Sequence, residues 1–390
     1  MRILVFRGGA IGDFILTLPT FRAVRHAWPK ADLTLVGYPH IAALAQVAGL
    51  INRVFSVDTA RFSAYFVPER PLPPQESDFL RSFDLVISFL HDPDGALRSN
   101  WIRAGARRVI SISPLVPSGH AADHFLRGLD PLGLKCADSY TAGEFSGRPR
   151  QSVALHLIDP AFAVTMARHA PRVEGRVPPN AGQALFSCPW QIRQGGTTRF
   201  AWSRPSSGLD ILYSSGASPP VRLDLPADLQ AGAKARLKSM GLKNRVIAIH
   251  PGSGSPRKNW PLSSFVALVE QIRKTRLGCP LWIAGEADTA IVGSLEAGLA
   301  GAVPVLSGSS LLETAAILSQ CRGYVGNDSG ITHLAAAMGI PTLALFGPTD
   351  PAIWGPRGCR VFILRSQPPT SEGLVRLPVD AVYRKLLAMV

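Results

Sequence analysis

The sequence has few of the residues that crosslink a chain or hold a structural metal. Its 390 residues include only five cysteines, which are scattered and form neither a C-x-x-C pair nor a zinc-ligand spacing. This pattern argues against a disulfide framework and favours reduced thiols in a cytoplasm. No run of about 18 apolar residues predicts a membrane span. Met1–Phe6 is a short strand pattern, so we do not expect a signal peptide.

Acidic residues are scarce relative to basic ones. Asp and Glu number 27 against 41 Lys and Arg, which gives a formal net charge of +14. Nucleic acid and an anionic membrane surface are therefore candidate partners. The basic residues are spread along the chain, without zinc-finger spacing, an RNP-like aromatic strand or a basic helix. We expect no nucleic-acid partner. Two alternatives stay open, a cytoplasmic protein with a basic surface and a protein peripheral at the inner face of the cell membrane.

What the sequence does contain is an alternation of strand-like runs with segments of helical spacing. The predicted strands are Ile3–Phe6, Leu33–Val36, Arg53–Val57, Leu85–Phe89, Arg108–Ile112, Val246–Ile249, Leu281–Ala284, Val303–Leu306, Gly323–Val325 and Thr342–Leu345. The predicted helices are Phe14–His26, Ile41–Ala48, Ser263–Lys274, Leu311–Gln320 and Ile331–Met338. Two successive βαβ sets predict an α/β fold with two doubly wound, Rossmann-like domains facing a central cleft.

The domain boundaries follow from where this alternation stops. Residues 141–220 contain Arg but no Lys, are rich in Pro and Gly, and show little periodicity. We therefore expect a first domain over residues 1–136, an irregular insertion or linker over residues 137–222, and a second domain with a terminal helix over residues 223–390. The insertion is expected to be poorly ordered.

The first stretch that carries chemistry is R-G-G-A-I-G-D-F-I-L-T-L-P, residues 7–19, between a strand and a helix. A glycine-rich turn before a helix usually cradles a phosphate, because the helix N-terminus offers free N–H groups and a positive dipole end. Asp13 stands where that phosphate would lie and would repel it. Asp13 is therefore either a cap of the helix or a carboxylate with a chemical role.

The second stretch is G-N-D-S-G-I-T-H-L-A-A-A-M-G-I-P, residues 326–341. Asp328 or Ser329 is expected to cap a helix whose first N–H groups point into the cleft. His333 lies four residues after Ser329, one turn along the same face, and could reach the same ligand. Alternatively, the stretch is an ordinary N-cap followed by a core histidine.

The third stretch is I-H-P-G-S-G-S-P-R-K-N-W-P, residues 249–261, which follows the first strand of the second domain. Gly252, Ser253 and Gly254 allow a close backbone approach to an anion, and Arg257 and Lys258 supply positive charge. The spacing is not that of a P-loop. The stretch alone indicates an anion site of unspecified kind.

Together the three stretches resemble glycosyltransferase family 9, the ADP-heptose:lipopolysaccharide heptosyltransferases. The resemblance covers residues 1–135 and 223–390 and rests on R-x-G-A-x-G-D, on H-P-G-S followed by K-x-W-P, and on N-D-S-G-x-x-H followed by F-G-P-T-D-P. It implies a GT-B fold and an inverting, metal-independent transfer without a cofactor. The donor would be a nucleotide sugar, ADP-heptose in the family, and the acceptor a lipopolysaccharide core or another glycan.

The resemblance also implies roles for particular residues. Asp13 matches the catalytic base that takes the proton of the acceptor hydroxyl, beside an acceptor-side loop. Glu286 matches the acid that holds the nucleoside ribose. The remaining matches are the loop residues Gly8, Gly9 and Gly12 and the donor-site residues Ser253, Gly254, Lys258, Asp328, Ser329, Gly330 and His333.

Three other interpretations of the sequence compete with this one. Asp92-Pro93-Asp94 is a D-x-D sequence that could hold a metal, but Asp-Pro-Asp-Gly is also a strong turn sequence, which we favour. A nicotinamide oxidoreductase would need G-x-G-x-x-G spacing in the first turn, which is missing. A non-catalytic nucleotide-sugar-binding protein, with its domain closure disabled by the insertion, stays an alternative.

Overall fold

The computed structural model describes residues 1–67, 70–134, 210–213, 222–285, 288, 293 and 303–390, with only the backbone of residues 210–213. The expected insertion at residues 137–222 lies outside the described residues, apart from residues 210–213 and 222. The domain boundaries drawn from the sequence therefore stay predictions. None of the helices in the described ranges has the length and the hydropathy of a membrane span.

The first sheet consists of five parallel strands in the order β3-β2-β1-β4-β5. They are β1 (Arg2–Phe6), β2 (Asp32–Gly37), β3 (Arg53–Ser56), β4 (Leu85–Ser88) and β5 (Val109–Ser111). Ile3 of the central strand β1 lies opposite Leu33 of β2 and Leu85 of β4. The apolar runs of β1, β2 and β4 are buried on both faces, as expected of the central strands of a parallel sheet covered by helices.

Six described helices accompany this sheet. They are α1 (Ile11–Ala27), α2 (Pro39–Val47), α3 (Ala60–Ser63), α4 (Pro74–Arg81), α5 (Ala96–Arg103) and α6 (Ala121–Arg127). The first helix, α1, follows β1 directly, so its N-terminus lies at the carboxyl edge of the sheet. That edge is where ligands bind in doubly wound folds.

The second sheet consists of seven strands in the order β6-β12-β11-β10-β7-β8-β9. They are β6 (Asp210–Tyr213), β7 (Val246–His250), β8 (Cys279–Ile283), β9 (Val305–Leu306), β10 (Gly323–Asn327), β11 (Thr342–Phe346) and β12 (Val361–Arg365). The edge strand β6 is antiparallel to β12. The other pairings in this sheet are parallel.

The described helices of this second part begin with α7 and end with the terminal helix α13. They are α7 (Ala227–Ser239), α8 (Leu262–Lys274), α9 (Leu311–Ser319), α10 (Gly330–Ala337), α11 (Pro351–Trp354), α12 (Ser371–Val375) and α13 (Val379–Met389). The helix α10 follows the central strand β10 directly. Its N-terminus therefore lies at the carboxyl edge of the second sheet, as that of α1 does in the first.

Each sheet has its own apolar core. In the first, Phe6 packs on Trp101 with ring centroids 4.6 Å apart. In the second, Trp260 packs edge-on against Phe265 at 4.8 Å and donates its indole N–H to the carbonyl of Leu377 at 3.0 Å. Burial of one such aromatic side chain stabilises a fold by roughly 1.5–3 kcal/mol. Trp260, part of the K-x-W-P motif, is thus a core residue that anchors the loop before α8.

The predicted α/β fold with two doubly wound parallel sheets is confirmed, and all ten predicted strands are present. Two strands were missed. The strand β12 was not predicted, and β6 lies inside the segment that we expected to be irregular. A strand of four residues at a sheet edge leaves almost no periodicity in the sequence, because its hydrogen bonds come from the backbone of its partner.

Candidate active site

Asp13 lies in the first turn of α1, above the glycine turn that leads out of β1. Gly9 in this turn has a φ of +102°, a backbone conformation that favours glycine, and a Cβ there would make an ordinary contact of 3.5 Å with Asp13 Oδ2. The residue before the helix, Ala10, makes no side-chain cap. The half-buried Asp13 carboxylate therefore lies close to uncapped N–H groups at a helix N-terminus, which favours a negative charge there.

Arg7 fixes the turn between β1 and α1. Its guanidinium lies between the rings of Phe89 and Phe125, at 5.4 Å and 4.9 Å from their centroids. It donates a hydrogen bond of 2.9 Å to the backbone carbonyl of Asp13. Burial lowers the pKa of Arg7 to about 10, and the charge of Asp13 opposes this shift. Arg7 is thus still a cation at neutral pH, and it fixes the turn that presents Asp13.

The N-terminus of α10 meets the N-terminus of α1. A Cβ added to Gly330 would lie only 2.7 Å from Ile11 Cβ and 3.2 Å from the backbone nitrogen of Gly12. A Cβ on Gly12 would in turn lie 3.0 Å from Cδ2 of His333. Two helices can approach this closely only where both carry glycine. The structure therefore brings the predicted acceptor-side loop and the predicted donor-side helix together at one place.

His333 is buried at this crossing. Burial is the main cause that lowers its pKa. The nearby carboxylates of Asp328 and Asp13 act in the opposite direction, and the ammonium of Lys258 lowers it further. Its Nδ1 has no hydrogen-bond partner among the described residues. His333 is thus a neutral imidazole at pH 7 that adjoins groups of both sheets.

Lys258 and Asp328 form an ion pair on the donor side. The Lys258 ammonium lies 2.9 Å from Asp328 Oδ2, and the lysine side chain is 36% exposed whereas the aspartate is 8% exposed. Lys258 ends a short 3-10 turn over Pro256–Lys258, and Asp328 follows the last residue of β10. Because it is partly exposed, the lysine remains accessible to an anionic ligand.

Ser329, and not Asp328, is the N-cap of α10. Its Oγ accepts a hydrogen bond from the Thr332 N–H at 3.3 Å. The first two N–H groups of the helix, on Gly330 and Ile331, have no intrahelical partner by helix geometry. A diphosphate at this end would meet both these donors and the positive end of the helix dipole.

The glycine loop after β7 is held by side chains that sequence reasoning did not assign. Asn327 is fully buried. Its side-chain NH2 donates to the carbonyl of Pro251 at 2.8 Å, and its side-chain oxygen accepts the backbone N–H of Trp260 at 2.9 Å. The Ser253 hydroxyl lies 2.6 Å from Oδ1 of Asn259. A Cβ on the exposed Gly254 would meet nothing within 4 Å. The loop is thus rigidly anchored, with an open side.

Two further residues were missed as members of the site. His250 ends β7, and its ring contacts Ser329 Oγ through Nδ1 at 3.1 Å and Asp288 Oδ2 through Nε2 at 2.9 Å. His250 was visible in the H-P-G-S motif and Asp288 lies two residues after Glu286, but no pattern in one sequence joins them. Glu286 itself lies outside the described residues.

The D-x-D sequence forms a turn. Both carboxylate oxygens of Asp92 accept backbone N–H groups at 3.0 Å, from Leu97 and Arg98 in α5. Asp94 is exposed. In the part of the chain that the structure describes, no group of three or more His, Cys, Asp or Glu side chains is placed to hold a metal ion.

Two polar contacts lie next to the place where α1 and α10 meet. They join residues at α6, which accompanies the first sheet, to residues after α11, which accompanies the second sheet. Arg357 forms a two-point ion pair with Asp123 of α6, with Nη1 and Oδ1 2.8 Å apart. His120 donates from Nε2 to the carbonyl of Gly355 at 2.8 Å and accepts the Ala122 N–H through Nδ1. Burial lowers the pKa of His120 to about 4, and the charge of Arg357 acts in the same direction. His120 is therefore neutral at pH 7.

Comparison with known proteins shows what this chain is similar to. Residues 217–377 match the model of glycosyltransferase family 9 (heptosyltransferase). Lipopolysaccharide heptosyltransferase 1 of Pseudomonas aeruginosa is 39% identical over 101 residues, which are 26% of this chain and 28% of that protein. Lipooligosaccharide heptosyltransferase 2 of Haemophilus ducreyi is 30% identical over 158 residues, 38% of this chain and 45% of that protein. The chain thus spans less than half the length of these curated relatives.

Solved structures share the whole fold. The glycosyl transferase family 9 protein of Veillonella parvula superposes with a TM-score of 0.65 at 18% identity, covering 100% of this chain and 97% of that chain. The ADP-heptose lps heptosyltransferase II of E. coli gives a TM-score of 0.61 at 16% identity, with 100% and 98% coverage. The fold is therefore of the GT-B type. The match to the family model is confined to residues 217–377.

Proposed function

We propose that this chain is an inverting glycosyltransferase that moves a heptose or a related sugar from a nucleoside diphosphate donor to a glycan hydroxyl, without a metal ion. The observation that carries the proposal is the meeting of two helix N-termini. One presents the carboxylate of Asp13, and the other lies beside the ammonium of Lys258. A base on one side and a cation with free N–H groups on the other are what a single displacement step needs.

On the donor side, the diphosphate would bind at the N-terminus of α10. The free N–H groups of Gly330 and Ile331 would donate to it, and Lys258 would exchange its partner Asp328 for a phosphate oxygen. The open side of the loop at Ser253 and Gly254 leaves room for the phosphates. Glu286 would hold the ribose, as the family resemblance implies.

On the acceptor side, the sugar would lie over Gly8, Gly9 and Gly12. Asp13 takes the proton of the attacking hydroxyl while that oxygen forms a bond to the anomeric carbon. The bond from the anomeric carbon to the phosphate oxygen breaks, and its electron pair leaves with the diphosphate. The charge that develops there is met by Lys258 and by the helix dipole, which together replace a metal ion.

His333 helps to keep the base available. Because burial holds its imidazole neutral, it does not form a charged pair with Asp13 in the resting protein. A cationic ring in that place would compete with the acceptor hydroxyl for the carboxylate. We therefore assign His333 to the wall between donor and acceptor, where it touches the backbone at Gly12.

The identity of the donor and the acceptor comes from the relatives. Solved E. coli heptosyltransferases hold ADP and ADP-2-deoxy-2-fluoro heptose, and the curated relatives are lipopolysaccharide heptosyltransferases. ADP-heptose and a lipopolysaccharide core are accordingly the proposed donor and acceptor of this chain. The net charge of +14 supports a cytoplasmic protein with a peripheral contact to an anionic membrane, where such an acceptor would be anchored.

A transfer assay tests the proposal. Release of the nucleoside diphosphate is followed with ADP-heptose and a heptose-deficient lipopolysaccharide core, with and without EDTA, and with UDP-glucose, which would release UDP, as the donor control. We expect acceptor-dependent release of ADP that EDTA leaves unchanged, with inverted configuration in the product. Binding of ADP without any transfer would identify a binding protein instead. Loss of transfer in EDTA would identify a metal-dependent enzyme.

A further inference from the structure

Three buried polar residues lie at or just after the ends of three neighbouring strands and contact one another beside the N-terminus of α10. His250 ends β7, Asp288 lies in the segment after β8, and Ser329 follows β10. The three strands are adjacent in the sheet, in the order β10-β7-β8. His250, Asp288 and Ser329 are 3%, 5% and 8% exposed. Buried polar groups at this density cost stability unless their hydrogen bonds are made, so each proton in the cluster should have a defined place.

Asp288 determines which ring nitrogen of His250 carries a proton. Burial raises the pKa of Asp288, but the hydrogen bonds from His250 and from the Gly285 N–H lower it below its usual value. The carboxylate is therefore ionised at neutral pH and can only accept. Nε2 of His250, 2.9 Å away, must be the protonated nitrogen. In a neutral ring, Nδ1 is then a lone pair that can only accept.

The hydroxyl of Ser329 supplies the donor for that lone pair. Thr332 Oγ1, one of its other polar neighbours at 3.1 Å, already donates to the carbonyl of Asn327 and accepts from Tyr324 Oη at 2.9 Å. The Ser329 proton is thus best directed to Nδ1 of His250 at 3.1 Å. The lone pairs of Ser329 Oγ then face the Thr332 N–H, which is the bond that caps α10.

We propose that His250 and Asp288 are positioning residues of the diphosphate site. Asp288 fixes the Nε2–H tautomer of His250, and Nδ1 of His250 holds the hydroxyl of Ser329. Ser329 then caps the Thr332 N–H and leaves the N–H groups of Gly330 and Ile331 free for the diphosphate. This inference rests on the proposed function, because it assigns the chain of hydrogen bonds to the same donor site.

The close packing around Asp288 supports a dedicated arrangement. A Cβ on Gly252 would lie 1.8 Å from Asp288 Oδ1, so the carboxylate fills the space that the glycine leaves. The Gly285 N–H donates to the other oxygen at 2.8 Å. Both carboxylate oxygens are therefore constrained, and the ring of His250 receives a fixed acceptor.

Two variants and one spectrum test the inference. Asp288→Asn keeps the shape but removes the negative charge that holds the proton on Nε2; His250→Gln removes the ring. ADP binding is measured by calorimetry, and the ring protonation by nitrogen NMR of the histidine-labelled protein, with the His250 signal assigned by its loss in His250→Gln. Asp224→Asn is the matched control, since Asp224 is exposed and lies 3.8 Å from Arg222.

We expect the neutral Nε2–H tautomer in the wild type and a shift toward Nδ1–H in Asp288→Asn. Both variants should bind ADP about tenfold more weakly, the effect of one lost hydrogen bond of about 1.4 kcal/mol, with the acceptor KM unchanged. An Nδ1–H or doubly protonated ring in the wild type, or wild-type ADP affinity in both variants, would overturn the inference. A wild type that does not bind ADP would refute the proposed function instead, and the ring tautomer would still decide the proton arrangement.

Discussion

Replacing Lys258 by alanine tests the donor site through the cation that the structure pairs with Asp328. The ammonium lies 2.9 Å from Asp328 and is about one-third exposed. A partly exposed ion pair contributes at most about 1 kcal/mol to stability, so the melting temperature should change little. A charge-assisted hydrogen bond to a phosphate is stronger, about 1.5–3 kcal/mol. Lys258→Ala should therefore weaken ADP binding by about 10- to 150-fold.

A second substitution separates the two causes of that loss. In Lys258→Ala the carboxylate of Asp328 loses its cation and repels the diphosphate. The double variant Lys258→Ala/Asp328→Asn removes this repulsion and should recover part of the affinity. Lys243→Ala, an exposed lysine in the same part of the chain, is the control for the loss of one positive charge. Isothermal calorimetry with ADP measures all four proteins. Unchanged affinity in Lys258→Ala would reject Lys258 as a phosphate contact.

Three further predictions concern the contacts between the two halves of the site. Gly330→Ala places a Cβ 2.7 Å from Ile11 Cβ, so we expect the rate of sugar transfer to fall sharply while circular dichroism still shows a folded protein. Wild-type turnover in this variant would contradict the close contact. Arg357→Ala removes the two-point ion pair with the mostly buried carboxylate of Asp123 and should lower the free energy of unfolding by about 3–5 kcal/mol in denaturant titrations. A Tm equal to that of the wild type would count against the buried pair. The pKa of His120 is lowered from 6.5 to about 4, so the folded state disfavours its protonation: stability is complete above pH 6.5 and is lost as the pH falls toward 4. His120→Gln should flatten this part of the pH–stability curve, and an unaltered curve would refute the assignment.

The fold could be predicted because its signals are local. Apolar runs such as Ile3–Phe6 and Val246–Ile249 alternate with helical spacing, and buried parallel strands need little more than this to be recognised. The edge strand β6 was missed because it has only four residues and its place is decided by pairing with β12. The strand β12 carries an apolar run, Val361–Leu364, of the same kind as the predicted strands and was overlooked.

The site could be predicted only in part. Motifs locate Asp13, Lys258 and Ser329, because each lies beside a glycine turn or a helix start. The contacts between motifs could not be predicted. His250 lies 38 positions before Asp288 and 79 positions before Ser329, its two hydrogen-bond partners. The approach of Gly12 to His333 likewise depends on how the two helices cross, which no local pattern records.

The central claim, that Asp13 is the catalytic base, is tested most directly by the turnover of Asp13→Asn with ADP-heptose and a heptose-deficient lipopolysaccharide core. Asparagine keeps the size of the side chain but cannot accept the proton. Asp94→Asn, an exposed aspartate of the D-x-D turn, is the matched control. We expect turnover to fall by about 10²–10⁴-fold in Asp13→Asn, the usual contribution of a general base, with ADP affinity unchanged and Asp94→Asn fully active. Near-wild-type turnover in Asp13→Asn would contradict the claim.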